Sequence, residues 1–238
     1  MLRSPTQQIP SRVRGRRIYV ARHGTKQPNT GPEDNFELPL IPEGFEALRE
    51  LCAFLSAQDI FFGEVLCSPY LRCRQTAEVI LAAGLGSSAE AATVAVRIEP
   101  GLSEVLSEAH GLRDGSGGSG GLNRLVERVE HMVAEAPVLL AASELRQDES
   151  EEFGQTMERT MKLAERIITN EELFTKGPLL LVTHGGTSFG IITALQKPSD
   201  IPLWEKSHVP AMGSITQLDE VDGRWLLIGN VVPQQQQN

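Results

Sequence analysis

Two histidines and two arginines in this chain come just after short apolar runs, and their chemistry suits phosphate. They are Arg22, His23, Arg72 and His184. A guanidinium group presents a planar fork of donors that matches two phosphate oxygens at once, and an imidazole nitrogen can attack phosphorus as a nucleophile. Gly24 and Gly185 follow the two histidines and permit close approach of the backbone. The pattern predicts a site that binds phosphate.

The apolar runs before these residues predict strands of a parallel sheet. The predicted strands cover residues 17–21, 64–67, 94–98 and 179–183. The last of these is apolar almost throughout, as expected of a central parallel strand. Stretches with one apolar helical face alternate with the strands, at 44–57, 71–83, 122–136, 151–170 and 188–195. Because ligands bind beyond the carboxyl ends of the strands in such sheets, we expect the histidines and arginines to meet there.

The end of the chain predicts an antiparallel edge to this sheet. Two further predicted strands, 214–218 and 224–228, flank the turn dipeptide Asp222-Gly223. Alternation of strands and helices elsewhere predicts right-handed crossovers. We therefore expect an α/β fold, a three-layer α/β/α sandwich whose mostly parallel central sheet has an antiparallel edge.

The sequence predicts one domain over residues 17–232, between a disordered basic arm (1–16) and a disordered polar tail (233–238). The first 17 residues hold five arginines and no acidic residue. An organellar transit peptide is the alternative interpretation, although Pro5 and Pro10 disfavour its amphipathic helix. The Gly/Ser-rich stretch 115–121 is typical of a linker, and we interpret residues around 105–175 as a flexible and helical insert that forms a mobile cap.

Composition limits the classes of partner. The 238 residues carry a net charge of −9, which argues against nucleic acid as the main partner. No apolar run approaches the ~18 residues of a membrane span. The three cysteines, Cys52, Cys67 and Cys73, lack zinc spacing and suit buried thiols in a reducing compartment. We expect a cytoplasmic protein, with import through the basic arm as the alternative.

Four ordered motifs resemble those of the histidine phosphatase superfamily, the phosphoglycerate-mutase-like proteins. They are Arg22-His23-Gly24, Ser68-Pro-Tyr-Leu-Arg-Cys-Arg-Gln-Thr-Ala77, Leu102-Ser-Glu104 and Val182-Thr-His-Gly185. The stretch 98–104 is similar to the corresponding part of the ecdysteroid-phosphate and TULA-type phosphatases. The resemblance implies a phosphoglycerate-mutase-like fold and phosphoryl transfer through a covalent phosphohistidine.

The resemblance also implies roles for single residues. His23 would be the nucleophile, and Arg22, Arg72 and His184 would surround the phosphate oxygens. Glu104 would be the general acid, with Glu108 in the repeated Leu-Ser-Glu as the alternative. Further contacts to phosphate or substrate would come from Asn29, Lys26 and Gly185. A solvated lysine is the alternative for Lys26, and Arg74 would be a solvated or ion-paired helix residue.

A carboxyl group donates a proton only if it is protonated near the working pH. Glu104 would therefore need burial or a negative neighbour, such as bound phosphate, to raise its pKa.

Departures from the mutase pattern favour phosphatase activity over mutase activity. Thr25 and Pro28 stand where the phosphoglycerate mutases have a glutamate and a tryptophan, and the mutases' Tyr-Gly and Leu-Gln-Gly stretch is absent after Glu104. A mutase, or a regulatory protein that binds phosphate with weak or no catalysis, is the alternative. We expect no cofactor and no metal, since arginines around the site would repel a cation. The expected partner is a small phosphorylated substrate or a phosphotyrosine-containing peptide, and family members often form homodimers.

Overall fold

The computed structural model describes residues 15–28, 35–86, 94–104, 120–133, 137–145, 153–196 and 209–233. Its strands are β1 (Arg17–Arg22), β2 (Glu64–Cys67), β3 (Val96–Ile98), β4 (Leu179–Thr183), β5 (Ile215–Val221) and β6 (Arg224–Val231). Its α-helices are α1 (Pro42–Ala57), α2 (Leu71–Ile80), α3 (Gly120–Val133), α4 (Phe153–Thr169) and α5 (Gly185–Gln196). Within these ranges, no helix combines the length and the apolar character that a membrane span requires.

The strands form one six-stranded sheet in the order β3-β2-β4-β1-β5-β6. The first four strands of this order pair in parallel, whereas β5 pairs antiparallel with both β1 and β6. Asp222 and Gly223, both at positive φ, form the turn between β5 and β6. The predicted α/β sandwich, with a mostly parallel sheet and an antiparallel edge, is therefore confirmed.

Strand alternation divides the core into two halves, one on each face of the sheet. Tyr19 and Ala21 face a core shared with α1, α2 and α3, whereas Ile18 and Val20 face a core shared with α4 and α5. All five residues of β4 are buried, because both faces of this central strand are covered by helices. The three cysteines are buried and unpaired, as the sequence analysis expects.

Both helices from the predicted insert contribute to these cores. Val126 and Val129 of α3 are fully buried in the first core. In the second core, α4 buries Leu163, Ala164 and Ile167. The helices thus complete the two outer layers of the sandwich, and α3 begins at Gly120, inside the stretch that composition predicts to be a linker. Burial of the apolar side of α3 outweighs the low helix propensity of its first residues.

The ends of the chain fall largely outside the described residues. The predicted arm is described only at Gly15 and Arg16, and the predicted tail only at Pro233. Arg16 is ordered by an ion pair, with its Nε 2.8 Å from Glu220 Oε2, and its guanidinium stacks over Phe174 and Trp225. Arg16, which the sequence analysis assigns to the arm, thus contacts the folded part of the chain, and the domain boundaries stay a prediction.

We expect Gly190→Ala to destabilise the fold by about 1–3 kcal/mol, because it would overpack the contact between α4 and α5. A Cβ at position 190 would lie 2.3 Å from Thr160 Oγ1 and 2.9 Å from Thr160 Cβ. The matched control is Gly154→Ala in α4, where no atom of the described residues lies within 4 Å of the new Cβ. Urea unfolding measures both variants, and equal stabilities would contradict close packing of the two helices.

Candidate active site

The carboxyl ends of three parallel strands bring the predicted histidines together. Arg22 ends β1 opposite Thr183 of β4, so His23 and His184 follow adjacent strand ends. Their ring centroids are 5.3 Å apart. Ser68 follows β2 on the other side of β4, and its backbone N–H donates to Val182 O at 2.9 Å. One edge of the sheet therefore gathers residues from three of the four motifs.

The His23 ring is held with one nitrogen available as a nucleophile. Its Nδ1 lies 2.8 Å from Gly24 O, and because a carbonyl oxygen only accepts, Nδ1 carries the proton and Nε2 keeps its lone pair. His23 is only 2% exposed. Burial, reinforced by nearby His184 and Arg72, lowers the pKa of His23 well below its usual value. The ring is therefore neutral near pH 7.

Gly24 connects the first motif to the second. Its backbone N–H donates to Thr76 Oγ1 at 3.1 Å, and that hydroxyl donates in turn to Arg72 O at 2.7 Å. A Cβ at Gly24 would lie 2.9 Å from Leu48 Cδ1, so only glycine fits without a shift of the core. These contacts fix the carbonyl that orients His23.

Arg72 is fully buried at the centre of the site. Its Nη1 donates to Asn35 O at 2.6 Å. Its Nη2 lies 3.2 Å from His184 Nδ1 and 3.4 Å from Glu104 Oε2. Arg74, by contrast, is partly exposed and pairs with Glu37 at 3.5 Å. Of the two arginines in the motif, Arg72 is the one that the structure places beside the histidines.

Arg22 reaches the same edge from β1. Its Nη1 donates to Pro210 O at 2.7 Å. A Cβ at Gly185 would lie 3.0 Å from Arg22 Cζ and 2.7 Å from Val209 Cγ1. Gly185 is thus required for the guanidinium of Arg22 to lie against the first turn of α5.

The His184 ring has a polar partner at each nitrogen. Ser68 Oγ lies 2.7 Å from Nε2, and Glu104 Oε2 lies 3.2 Å from Nδ1. Burial lowers the pKa of His184 to about 4, even though the Glu104 carboxylate favours its protonation. A neutral His184 can hold its proton on Nε2 and donate to Ser68, or hold it on Nδ1 and donate to Glu104.

Glu104 is an ionised carboxylate in the substrate-free protein. Burial alone would raise its pKa, but His184 and Arg72 outweigh burial and hold the pKa of Glu104 well below its usual value. Since His184 is itself neutral near pH 7, Arg72 is the fixed positive charge beside the carboxylate. Glu104 thus lies beside both His184 and Arg72, and its role as general acid stays a prediction.

The remaining predicted contacts are placed less centrally. Lys26 is half-buried. Burial lowers the pKa of its ammonium group, and the positive charge of Arg72 lowers it further, so Lys26 lies within the electrostatic influence of the site. Asn29 and Glu108 lie outside the described residues. The comparison of Glu104 with Glu108 as general acid therefore stays a prediction in favour of Glu104.

Three side chains at the site had no role in the sequence analysis. Ser68 binds His184, Thr76 binds Gly24, and Arg159 of α4 donates to the backbone around Glu104. Ser68 and Thr76 lie inside the second motif, so their positions were an available signal. Nothing in the sequence distinguishes Arg159 from other arginines of a surface helix.

Cys73 also lies near His184, with its Sγ 3.5 Å from Nε2. Burial raises the pKa of the Cys73 thiol to about 12. A thiol must ionise to act as a nucleophile, so Cys73 packs beside the site and does not compete with His23.

Among the described residues, His23, Glu104 and His184 form a group that could hold a metal ion. Their ligand atoms all lie within 4.8 Å of one another. The guanidinium of Arg72, however, already contacts both Glu104 and His184, and a fixed positive charge there opposes a cation. Absence of a metal therefore stays a prediction, and chelation tests it.

Comparison with known proteins gives a family match and several solved structures of similar fold. The sequence model of the histidine phosphatase superfamily (branch 1) matches residues 18–230. A search of curated proteins finds no significant match. The fold is similar to the ecdysone phosphate phosphatase of Bombix mori in complex with tungstate, at a TM-score of 0.62 and 13% identity over 90% of this chain and 92% of that one.

Two further solved structures are similar in fold. The α-ribazole phosphatase of Shigella flexneri has a TM-score of 0.57 and 20% identity, over 92% of this chain and 96% of that one. The mycobacterial glucosyl-3-phosphoglycerate phosphatase has a TM-score of 0.54 and 20% identity, over 89% and 96%. At these identities the similarity establishes the fold and leaves the substrate open.

We expect the free energy of unfolding to fall as the pH decreases from 6.5 towards 4. The folded pKa of His184 is about 4 against 6.5 for an ordinary histidine, so the unfolded chain binds a proton first. At pH 5 this single group costs about 2 kcal/mol of stability, and His23 acts in the same direction. Urea unfolding at pH 7 and pH 5 measures the loss.

The His184→Asn variant should lose less stability over the same interval, because it lacks the suppressed proton. His131→Ala, at an exposed position of α3, is the control and should follow the wild type. An identical pH dependence in His184→Asn and wild type would contradict a buried, neutral His184.

Proposed function

We propose a phosphatase mechanism for this chain, which belongs to the histidine phosphatase superfamily. In it, the chain hydrolyses phosphomonoesters through a covalent phosphohistidine at His23, with Glu104 as general acid. The observation that carries the proposal is the state of His23: its Nδ1 donates to Gly24 O, and its neutral Nε2 is available beside Arg72 and His184. A neutral imidazole held in one tautomer is the form that attacks phosphorus.

The first step would transfer the phosphoryl group to the protein. His23 Nε2 attacks phosphorus with its lone pair, a P–N bond forms, and the P–O bond to the leaving group breaks. Glu104 gives its proton to the departing oxygen, which leaves as an alcohol. Arg22, Arg72 and His184 would stabilise the charge on the phosphoryl oxygens during the transfer. Lys26 and Asn29 would add contacts to the phosphate or substrate.

Glu104 would become protonated when the substrate binds. In the free site His184 and Arg72 hold the pKa of the Glu104 carboxyl well below its usual value, so the group is ionised. A phosphate bound against Arg72 places negative charge next to Glu104 and weakens the influence of the guanidinium, and both effects raise the pKa of the carboxyl. Binding of the substrate would thus raise the pKa of Glu104 and provide the protonated carboxyl group that cleavage of the P–O bond requires.

The second step would release phosphate. The carboxylate of Glu104, left without its proton, accepts a proton from a water molecule whose oxygen attacks phosphorus. The P–N bond breaks, its electron pair returns to His23 Nε2, and inorganic phosphate leaves. The protein then has its starting protonation state apart from the proton on Glu104, which returns to solvent.

The substrate class that fits is a phosphomonoester, either a small molecule or a phosphotyrosine-containing peptide. Solved structures that share the fold include an ecdysone phosphate phosphatase, an α-ribazole phosphatase and a glucosyl-3-phosphoglycerate phosphatase. Another is a protein histidine phosphatase complexed with tungstate. Their diversity supports the common chemistry and no particular substrate.

We expect purified protein to hydrolyse p-nitrophenyl phosphate between pH 5 and 8, in the presence of EDTA as well as in its absence. His23→Ala should lose activity by about a thousandfold or more, because the substitution removes the proposed nucleophile. His131→Ala is the matched control and should keep wild-type activity. Mass spectrometry of protein quenched in alkali, where a phosphohistidine survives, should place the phosphoryl group on His23.

Each other outcome has a defined meaning. Activity that survives in His23→Ala would contradict the nucleophile, and activity abolished by EDTA would contradict the metal-free site. Rapid interconversion of phosphoglycerates without hydrolysis of phosphate esters would show a mutase. Stoichiometric phosphate binding without turnover would show a binding protein.

A further inference from the structure

A buried arginine of α4 donates hydrogen bonds to the backbone of the segment that carries Glu104. This segment, Gly101 to Glu104, follows β3 and connects the sheet to the site. Arg159 Nη1 donates to Gly101 O at 2.6 Å and to Ser103 O at 3.2 Å, and its Nη2 donates to Glu104 O at 3.1 Å. One guanidinium thus spans three of the four carbonyl groups of the segment.

Arg159 is well placed to act as a rigid support. It lies on α4, is only 7% exposed, and belongs to the helix whose apolar side packs in the second core. Close contact between Thr160 and Gly190 leaves α4 little room to shift against α5. A side chain anchored on such a helix transmits the position of the helix to the backbone that it binds.

Other bonds hold the segment from the sheet and from α5. Thr183 Oγ1 donates to Leu102 O at 2.7 Å, and Thr187 Oγ1 donates to Ser103 O at 2.6 Å. Glu99 Oε1 accepts from the Gly101 N–H at 3.0 Å. Arg159 differs from these groups because its contacts extend to the carbonyl of Glu104 itself.

We propose that Arg159 is a positioning residue that fixes Glu104 for proton transfer to the leaving group. The inference rests on the proposed function and adds to it a role for α4, a helix that contains none of the four motifs. Arg159 contacts the Glu104 backbone and not the reacting atoms, so it acts through Glu104.

The chemistry gives this role a signature that a structural role lacks. A poor leaving group, such as an alkoxide, needs its proton during P–O cleavage, whereas p-nitrophenolate leaves without one. Loss of a well-placed general acid therefore slows alkyl phosphates much more than p-nitrophenyl phosphate. Partial unfolding would slow both substrates equally.

The experiment compares kcat/KM for p-nitrophenyl phosphate and for glycerol 2-phosphate in wild type, Glu104→Gln, Arg159→Met and Arg159→Lys. Glu104→Gln should lower the glycerol 2-phosphate rate about 100-fold more than the p-nitrophenyl phosphate rate. Arg159→Met should show the same selectivity at about tenfold, because the acid is present but misplaced. Arg159→Lys, which keeps the charge without the fork, should recover part of the difference.

The matched control is Arg166→Met. Arg166 lies two turns further along α4 and also donates to a backbone carbonyl, that of Leu139, but it does not bind the Glu104 segment in the contacts described. Its ratio of the two rates should equal that of the wild type. Because the ratio is taken within one protein sample, a reduced folded fraction leaves it unchanged.

The outcomes separate this inference from the proposed function. If wild type hydrolyses neither substrate, or if Glu104→Gln slows both equally, the proposed phosphatase mechanism fails. If wild type and Glu104→Gln behave as expected but Arg159→Met keeps the wild-type ratio, the mechanism stands and the role of Arg159 is refuted. A change of ratio in Arg166→Met equal to that in Arg159→Met would also refute it.

Discussion

The buried guanidinium of Arg72 is the interaction on which the site depends. A positive charge with no exposed surface is costly unless it is compensated by hydrogen bonds and opposite charge. Here the compensation comes from Asn35 O, His184 and Glu104, which belong to three different parts of the chain. The hydrogen bonds and charge that compensate this one side chain therefore bring together the second motif, the segment that carries Glu104, and His184.

The same charge sets the protonation states around it. It contributes to the low pKa of His23, and together with His184 it holds the pKa of Glu104 low. Burial acts in the same direction on both histidines, so two imidazoles 5.3 Å apart coexist without mutual repulsion. The site is electrostatically complementary to an anion because its negative charge is smaller than the positive charge that surrounds it.

Sequence reasoning predicted the sheet well, because short apolar runs and a turn dipeptide are local signals. It placed β2 and β4 at their observed limits. It started α1 two residues late, because it overlooked that proline favours the first turn of a helix and that Pro42 can begin one. It missed the irregular turn at Leu81–Leu85, where Gly84 takes a positive φ. It also assigned Gly120 and Gly121 to a linker, since composition cannot show that Val126 and Val129 would be buried.

In the site, residues inside motifs could be predicted, whereas Arg159 depends on how α4 packs against a distant segment.

The buried, protonated state of Cys73 has a consequence for the sensitivity of the site to oxidants. Phosphatases that attack with a thiolate are open to peroxide, because the low-pKa sulfur that reacts with phosphorus also reacts with oxidants. The proposed nucleophile, His23, is an imidazole and does not form those oxidation products, and the Cys73 thiol beside His184 keeps its proton. If His23 is the nucleophile as proposed, oxidants that inactivate thiolate phosphatases should leave the activity of this protein intact.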